Sequence, residues 1–186
     1  GHGHTILEVS KVGDTGELKR EFGPLNRRIT ATTPFTLVGP AKGSDFVKTS
    51  ADQKGEKVLG TLNNCSGGVT PWNTMLSGEE NFDQYFAGGD VKDEKAAESL
   101  KRFGIKEGPS ERKWEKYDDR FDVSKEPNEP NRFGWLVEIN PLDPNSTPIK
   151  HTAVGRYKHE AGNIHITKDG TVVCYSGDDS RFEYIY

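Results

Sequence analysis

The residues best suited to chemistry lie close together between positions 62 and 82. This stretch holds side-chain amides at Asn63 and Asn64, a thiol at Cys65 and adjacent carboxylates at Glu79 and Glu80. Two neighbouring acids repel each other unless a cation, an arginine or water offsets their charge. Carboxylate oxygens suit calcium, whereas a thiolate suits a softer or redox-active ion such as iron or zinc. The combination indicates a metal site with both kinds of ligand.

The same residue types also have ordinary structural roles. A single cysteine in a globular chain is commonly a small buried hydrophobic residue. Adjacent glutamates commonly lie in solvent at the protein surface. Composition alone therefore leaves both interpretations open.

A longer string around these residues is more specific. The stretch Cys65 to Phe86, with the two preceding asparagines, reads NNCSGGVTPWNTMLSGEENFDQYF and closely resembles the signature of the PhoX family of alkaline phosphatases. Further strings resemble the family in the same order along the chain: NRRIT at 26–30, PNEPNRFGW at 127–135, GRYKHE at 155–160 and GDDSRFEY at 177–184. The resemblance spans nearly the whole chain.

This resemblance implies a function. PhoX-like proteins are secreted or periplasmic bacterial enzymes that hydrolyse phosphomonoesters and release inorganic phosphate, with calcium and iron as cofactors. Phosphoryl transfer requires neutralisation of charge on the phosphate oxygens and in-line placement of an attacking oxygen, and clustered cations can do both. The implied partners are therefore small phosphomonoesters.

The resemblance also implies roles for individual residues. It makes Cys65 an iron-binding thiolate and makes the carboxylates of Glu80, Glu160 and Asp178 ligands of iron or calcium, so that these four form the catalytic set. Glu79 is expected as a further calcium ligand, and Asn64 or Asn63 is expected to line the site. Arg181 and Lys158 could grip the remaining phosphate oxygens if they face it.

Three neighbouring residues receive non-catalytic roles. His159 is expected to be hydrogen-bonded near the site rather than to bind metal, and Asp179 is interpreted as a turn acid without a ligand role. Cys174 lies in an apolar strand and is expected to be inert, so no disulfide is predicted.

Bulk properties restrict the class of protein. The 186 residues allow one ordinary domain, and the low apolar share of 32% with 21 glycines and 10 prolines favours β structure with many turns. A net charge of −4 disfavours nucleic acid as a partner. No apolar run approaches the length needed to cross a bilayer.

The coarse pattern predicts strands and one helix. The helix is expected at 93–103, with an acidic first turn, a basic last turn and Gly104 to end it, and we expect it to have a packing role. A hairpin is expected around the turn at 13–16. Strands are expected at 5–9, 17–22, 27–31, 36–40, 58–62, 72–77, 134–139, 152–157, 163–167 and 172–176.

The fold class expected is all-β, a partial β-propeller of the six-bladed type with the short helical insert near 93–103. Repeated meanders are typical of propellers, but the propeller interpretation depends on the resemblance. Residues 1–186 are expected to form a single domain or an incomplete propeller segment, with 87–131 as an insert of helix and loop.

Length separates the chain from the family, whose members are considerably longer. We therefore expect a segment of about two to three blades, which needs the missing C-terminal part of the same protein, or other copies, for full activity. Two other classes stay open: a non-catalytic calcium-binding β module, and a propeller-type interaction domain whose acids are solvated. The resemblance of the Cys65 to Phe86 string favours the phosphatase over both, since neither alternative needs a thiol beside paired acids.

Overall fold

A computed structural model describes residues 2–186, and the chain is mostly β. The strands are β1 (His4–Ile6), β2 (Glu8–Lys11), β3 (Leu18–Glu21), β4 (Arg27–Ile29), β5 (Pro34–Val38), β6 (Lys57–Leu59), β7 (Met75–Gly78), β8 (Leu136–Ile139), β9 (Ile149–His151), β10 (Asn163–Ile166) and β11 (Val172–Tyr175). The α-helix is α1 (Glu94–Arg102), and short 3-10 helices span Asp45–Val47, Phe82–Tyr85, Trp114–Lys116, Asp119–Phe121 and Glu129–Arg132.

One five-stranded sheet organises the fold, in the order β6-β5-β9-β8-β7. Its neighbouring strands are antiparallel except for β5 and β9, which are parallel. Three two-stranded ribbons, β1-β4, β2-β3 and β10-β11, surround it. Within residues 2–186 none of these sheets closes into a barrel. The predicted β class is confirmed, whereas the propeller stays a prediction.

Two predicted strands are placed differently by the structure. The first hairpin turns around 13–16 as expected, but its strands are β2 and β3, because β1 pairs with β4. The prediction of a strand at 152–157 was wrong, because β9 ends at His151. Both the amide and the hydroxyl of the next residue, Thr152, donate to the carbonyl of Val38, at 2.9 and 2.8 Å. The chain then turns through Gly155, whose φ is +86°.

Helix α1 forms where the sequence predicts it. The carboxylate of Asp93 caps its first turn by accepting the Ala96 amide at 2.8 Å. Its apolar face, with Ala96 and Leu100, is buried, which confirms the packing role. No helix within residues 2–186 has the length and apolar character to cross a membrane.

The core lies on one face of the five-stranded sheet. Alternate strand residues point to that face, and they pack against aromatic side chains from the 3-10 segments. The main core residues are Phe35, Leu37, Val58, Val137, Ile139, Phe82, Tyr85, Phe86, Phe121 and Phe133.

A fully buried ion pair stands within this apolar face. Lys150 of β9 lies beside Leu37 and Val137 in register, and its Nζ is 2.7 Å from Oε1 of Glu79, with neither side chain exposed. Burial lowers the pKa of Lys150 to about 8, and the Glu79 carboxylate opposes that shift. The ammonium also lies 3.9 Å from the ring centre of Phe133.

Backbone amides satisfy the rest of the Glu79 carboxylate. Its Oε1 accepts the amide of Leu62 at 3.2 Å, and its Oε2 accepts those of Gly134 and Trp135 at 3.1 and 3.3 Å. One side chain thus ties together three segments that are far apart in the sequence.

Replacing Lys150 with Met is expected to reduce the free energy of unfolding by about 3–5 kcal/mol, because the Glu79 carboxylate is left buried without its cation. Urea unfolding measures the loss. The matched control is Lys168→Met, at an exposed turn. The double variant Glu79→Gln/Lys150→Met should lose less stability than Lys150→Met alone. Equal losses in both would show that the unpaired charge is not the cause.

Candidate functional site

The Cys65 loop runs alongside β7. The amide of Cys65 donates to the carbonyl of Gly78 at 3.0 Å, and the amide of Gly78 donates to the carbonyl of Ser66 at 3.1 Å. The two segments are so close that a Cβ at Gly67 would lie 1.8 Å from the carbonyl oxygen of Leu76. Glycine is therefore required there, and the pairing places Cys65 beside the Glu79-Glu80 turn.

Asn63 holds that turn in place. Its backbone has a φ of +44°, which is unusual for a residue other than glycine. Its carbonyl accepts the amide of Glu80 at 3.2 Å, and its Oδ1 accepts the amide of Asn81 at 3.3 Å. Its Nδ2 donates to the hydroxyl of Tyr85 at 3.2 Å. Asn63 thus acts on the site through the position of Glu80.

Asn64 is engaged with the protein at both ends of its amide. Its Oδ1 accepts the amide of Gly3 at 2.9 Å, and its Nδ2 donates to Thr61 Oγ1 at 2.8 Å. These contacts give Asn64 a role in holding the first residues of the chain against the Cys65 loop.

Two further segments complete the site. The amide of His159 donates to the carbonyl of Glu79 at 3.2 Å, and the amide of Glu160 donates to the carbonyl of Gly177 at 3.2 Å. The amide of Asp179 donates to the carbonyl of Lys158 at 3.1 Å. Segments 158–160 and 177–179 therefore lie beside the Glu79-Glu80 turn.

The Cys65 thiol and the carboxyls of Glu80 and Asp179 lie close together there, and Glu160 is near enough for its charge to act on Cys65. We call these four side chains the acid-thiol cluster. The Glu80 carboxyl lies close to the Asp179 carboxyl and to the Cys65 thiol. Burial raises the pKa of Glu80, and the contact with Asp179 raises it further. Partial burial also raises the pKa of the Cys65 thiol, and the charges of Glu80 and Glu160 add to this effect. The cluster is thus a set of groups that disfavour one another's negative charge.

The structure separates the two members of each acidic pair. Glu79 lies in the core on Lys150, whereas Glu80 lies in the cluster. Asp178 has a side chain only 3% exposed, and its Oδ2 lies 4.0 Å from Nη2 of Arg102, whereas Asp179 contacts Glu80. Sequence reasoning preferred Asp178 to Asp179, because nothing local distinguishes two adjacent aspartates in a turn.

His159 is buried and hydrogen-bonded through both ring nitrogens, as expected for a residue near the site. Its Nδ1 is 2.7 Å from Ser176 Oγ and its Nε2 is 3.0 Å from the carbonyl of Gly155. Burial lowers its pKa to about 4, so the ring is neutral at pH 7.

The two candidate phosphate-binding residues differ in their surroundings. Lys158 Nζ is 3.0 Å from Oδ1 of Asp83, in an ion pair that is mostly buried. Arg181 is exposed to solvent. Cys174 is half-buried in β11, and both cysteines are free.

The donor chemistry of the cluster fits a metal, although its present spacing does not yet form a complete site. Among residues 2–186, no three His, Cys, Asp or Glu side chains are placed to hold one ion as they stand. The thiol and the carboxylates nevertheless act on one another's charge, and Oδ1 of the neighbouring Asp178 is buried without a hydrogen-bond partner. A cation is the group that would remove their mutual repulsion.

The chain matches the family model described as alkaline phosphatase PhoX over residues 1–186. It belongs to the PhoX family. It is also similar to the solved structure of Pseudomonas fluorescens PhoX in complex with vanadate, a transition state analogue, at 44% identity and a TM-score of 0.87. That similarity covers 97% of this chain and 31% of the solved chain. Comparison with curated proteins gives no match.

These findings confirm the family resemblance read from the sequence. The chain spans less than a third of the solved PhoX chain. The similarity covers the acid-thiol cluster, so that the segment carrying it is a PhoX segment.

Substituting Gly78 by Ala is expected to separate the two halves of the site. An added Cβ would lie 2.0 Å from the carbonyl oxygen of His159, so β7 and segment 158–160 must move apart, at a cost of about 1–3 kcal/mol in unfolding free energy. Gly177→Ala is the matched control, since its Cβ would meet nothing within 4 Å. Urea unfolding of both variants checks the prediction, and equal stability would contradict it.

Proposed function

We propose that this chain carries part of the metal site of a PhoX-type alkaline phosphatase, which hydrolyses phosphomonoesters and releases inorganic phosphate. The observation that carries the proposal is the acid-thiol cluster, formed by four separate segments of a PhoX-family chain. The vanadate bound to the related Pseudomonas fluorescens PhoX supports it, since vanadate is described there as a transition state analogue.

The proposed ligands are Cys65, Glu80, Glu160 and Asp179, with iron at the thiolate and calcium at the carboxylates. Asp178 remains a candidate through its unpartnered Oδ1. We leave Glu79 out of the set because Lys150 and three backbone amides already occupy both of its oxygens. Bound cations would neutralise charge on the phosphate oxygens and activate an attacking oxygen.

The residues of the chain have defined tasks in this proposal. Asn63 orients the Glu80 backbone, and the carbonyl of Lys158 orients Asp179. Asp83 restrains the Lys158 ammonium at the edge of the site, so this lysine can contact a phosphate oxygen only if it leaves or shares that partner. Arg181 is the exposed guanidinium of the same region and is the better candidate for a fork-like contact with phosphate.

The remainder of the site is proposed to come from outside this chain. The chain covers 31% of the related solved structure, which supports a further part of the same protein as the proposed partner; the family resemblance implies its C-terminal part. We also propose that the whole protein is a β-propeller and that it acts in the periplasm or outside the cell, as the family resemblance implies.

Metal content tests the ligand assignment directly. Elemental analysis of protein purified without chelators is expected to show iron and calcium, with iron lost in Cys65→Ala and retained in the matched control Cys174→Ala. Calcium without iron in the unmodified chain would favour a non-catalytic calcium-binding module. Equal iron in both cysteine variants would overturn the thiolate assignment.

Activity is tested in the full-length protein that contains this segment. Glu80→Gln is expected to lower kcat/KM for a chromogenic phosphomonoester by at least about 100-fold, because a lost metal ligand removes several kcal/mol of transition-state stabilisation. The isolated chain should show weak activity that rises when the missing portion is added. Full activity of the isolated chain would contradict the proposed division of the site.

A further inference from the structure

The C-terminal end of α1 contacts the turn that carries the aspartate pair. Nη2 of Arg102 is 2.7 Å from Oε1 of Glu183 and 4.0 Å from Oδ2 of Asp178. Arg102 lies in the last turn of the helix and outside the acid-thiol cluster. The helix therefore reaches segment 177–183 through one guanidinium.

The next residue of the helix end contacts the other half of the site. The ring of Phe103 packs on that of Phe82, with centres 5.3 Å apart, and the guanidinium of Arg156 lies over both rings at 4.1 and 4.9 Å. Phe82 follows Glu80 by two residues and is fully buried. The end of α1 thus bridges the Glu80 turn and the Asp178-Asp179 turn.

The carboxylate of Asp178 is buried and only partly satisfied. Its side chain is 3% exposed, and Oδ1 has no hydrogen-bond partner. Within residues 2–186, Arg102 is the basic group found within 4.0 Å of this carboxylate. The guanidinium of Arg102 is half-exposed and closest to Glu183. Its removal would leave both acids of the turn without this positive charge, and the turn would then shift to bring the buried Asp178 carboxylate toward water.

Such a shift would reach the cluster through the backbone. The amide of Asp178 donates to the carbonyl of Tyr184 and that of Asp179 donates to the carbonyl of Lys158, both at 3.1 Å. Moving Asp178 out breaks the first bond and displaces the next residue, whose carboxyl contacts Glu80.

We propose that Arg102 is a positioning residue, which holds the 177–183 turn so that Asp179 stays against Glu80. Its consequence for metal binding rests on the function proposed above. In this proposal the helical insert holds the 177–183 turn in place, in addition to packing on the core.

Amide hydrogen exchange tests the hold on the turn independently of metal. Arg102→Met is expected to speed exchange at the amides of Asp178 and Asp179 at least about tenfold, which corresponds to about 1.4 kcal/mol of lost local stability. Lys101→Met, an exposed neighbour on the same helix, is the matched control, and Arg102→Lys should restore part of the protection. Unchanged exchange in Arg102→Met would overturn the proposal.

Iron binding tests the consequence for the cluster. In the full-length protein, Arg102→Met is expected to lower iron affinity about tenfold, as other supporting contacts of metal ligands do, and to shift the thiolate-to-iron absorption band. If amide exchange at Asp178 and Asp179 becomes faster while the iron affinity and the absorption band are unchanged, Arg102 only stabilises the turn. The positioning role would then be overturned. If the unmodified protein binds no metal, the proposed function fails, and hydrogen exchange alone decides whether Arg102 holds the turn.

A second variant covers the case in which Arg102→Met does not fold. Because the damage arises from the unpaired Asp178 carboxylate, Arg102→Met/Asp178→Asn is expected to fold and to be more stable than Arg102→Met. An equally unstable double variant would show that Arg102 stabilises the helix by other means, and would contradict the proposal.

Discussion

The buried ion pair between Glu79 and Lys150 fixes the geometry on which the rest of the site depends. Successive side chains of an extended segment point to opposite sides. The amide of Glu79 donates to the carbonyl of Trp135, and its own carbonyl accepts the amide of His159, so this residue sits in extended backbone between two neighbours. With Glu79 held in the core, Glu80 must face the other way, toward Cys65.

The cluster is assembled from backbone segments that approach each other more closely than side chains allow. Gly67 meets β7, and Gly78 meets the carbonyl of His159, at distances that exclude a Cβ. This closeness brings the acids and the thiol together even though the negative charge of each disfavours that of the others. Groups that disfavour one another's charge are common at functional sites.

Local features of the fold were predictable from the sequence because they have local causes. The charge pattern and Asp93 cap determine α1, and the Asp-Gly turn at 169–170 determines the β10-β11 hairpin. The pairing of β1 with β4 was not predictable, since strand pairing depends on tertiary contacts. The same holds for the end of β9, where Thr152 bonds to a strand more than 100 residues away in the chain.

The composition of the site was predictable from the family strings, but the orientation of its acids was not. Cys65, Glu80 and Glu160 were predicted from their strings, and the charges of Glu80 and Glu160 raise the pKa of the Cys65 thiol in the structure. Their role as metal ligands stays a prediction. Whether Glu79 or Glu80 faces the cluster depends on Lys150, which is 71 positions distant from Glu79. For Asp178 and Asp179 the nearby cation is Arg102, 4.0 Å from Asp178, at the end of a helix that the sequence assigns only to packing.

The Glu79-Glu80 and Asp178-Asp179 pairs each consist of a buried inner acid and an outer acid. In each, the inner acid has a buried side chain with a cation of the chain near it, Lys150 at 2.7 Å from Glu79 and the half-exposed Arg102 at 4.0 Å from Asp178. The outer acids, Glu80 and Asp179, instead contact each other. Glu79 has its countercharge in Lys150 and serves to fix direction. The outer acids, by contrast, form no ion pair among the described residues. An external cation supplies their countercharge most directly, which is why the paired acids support a metal site more strongly than any one of them would alone.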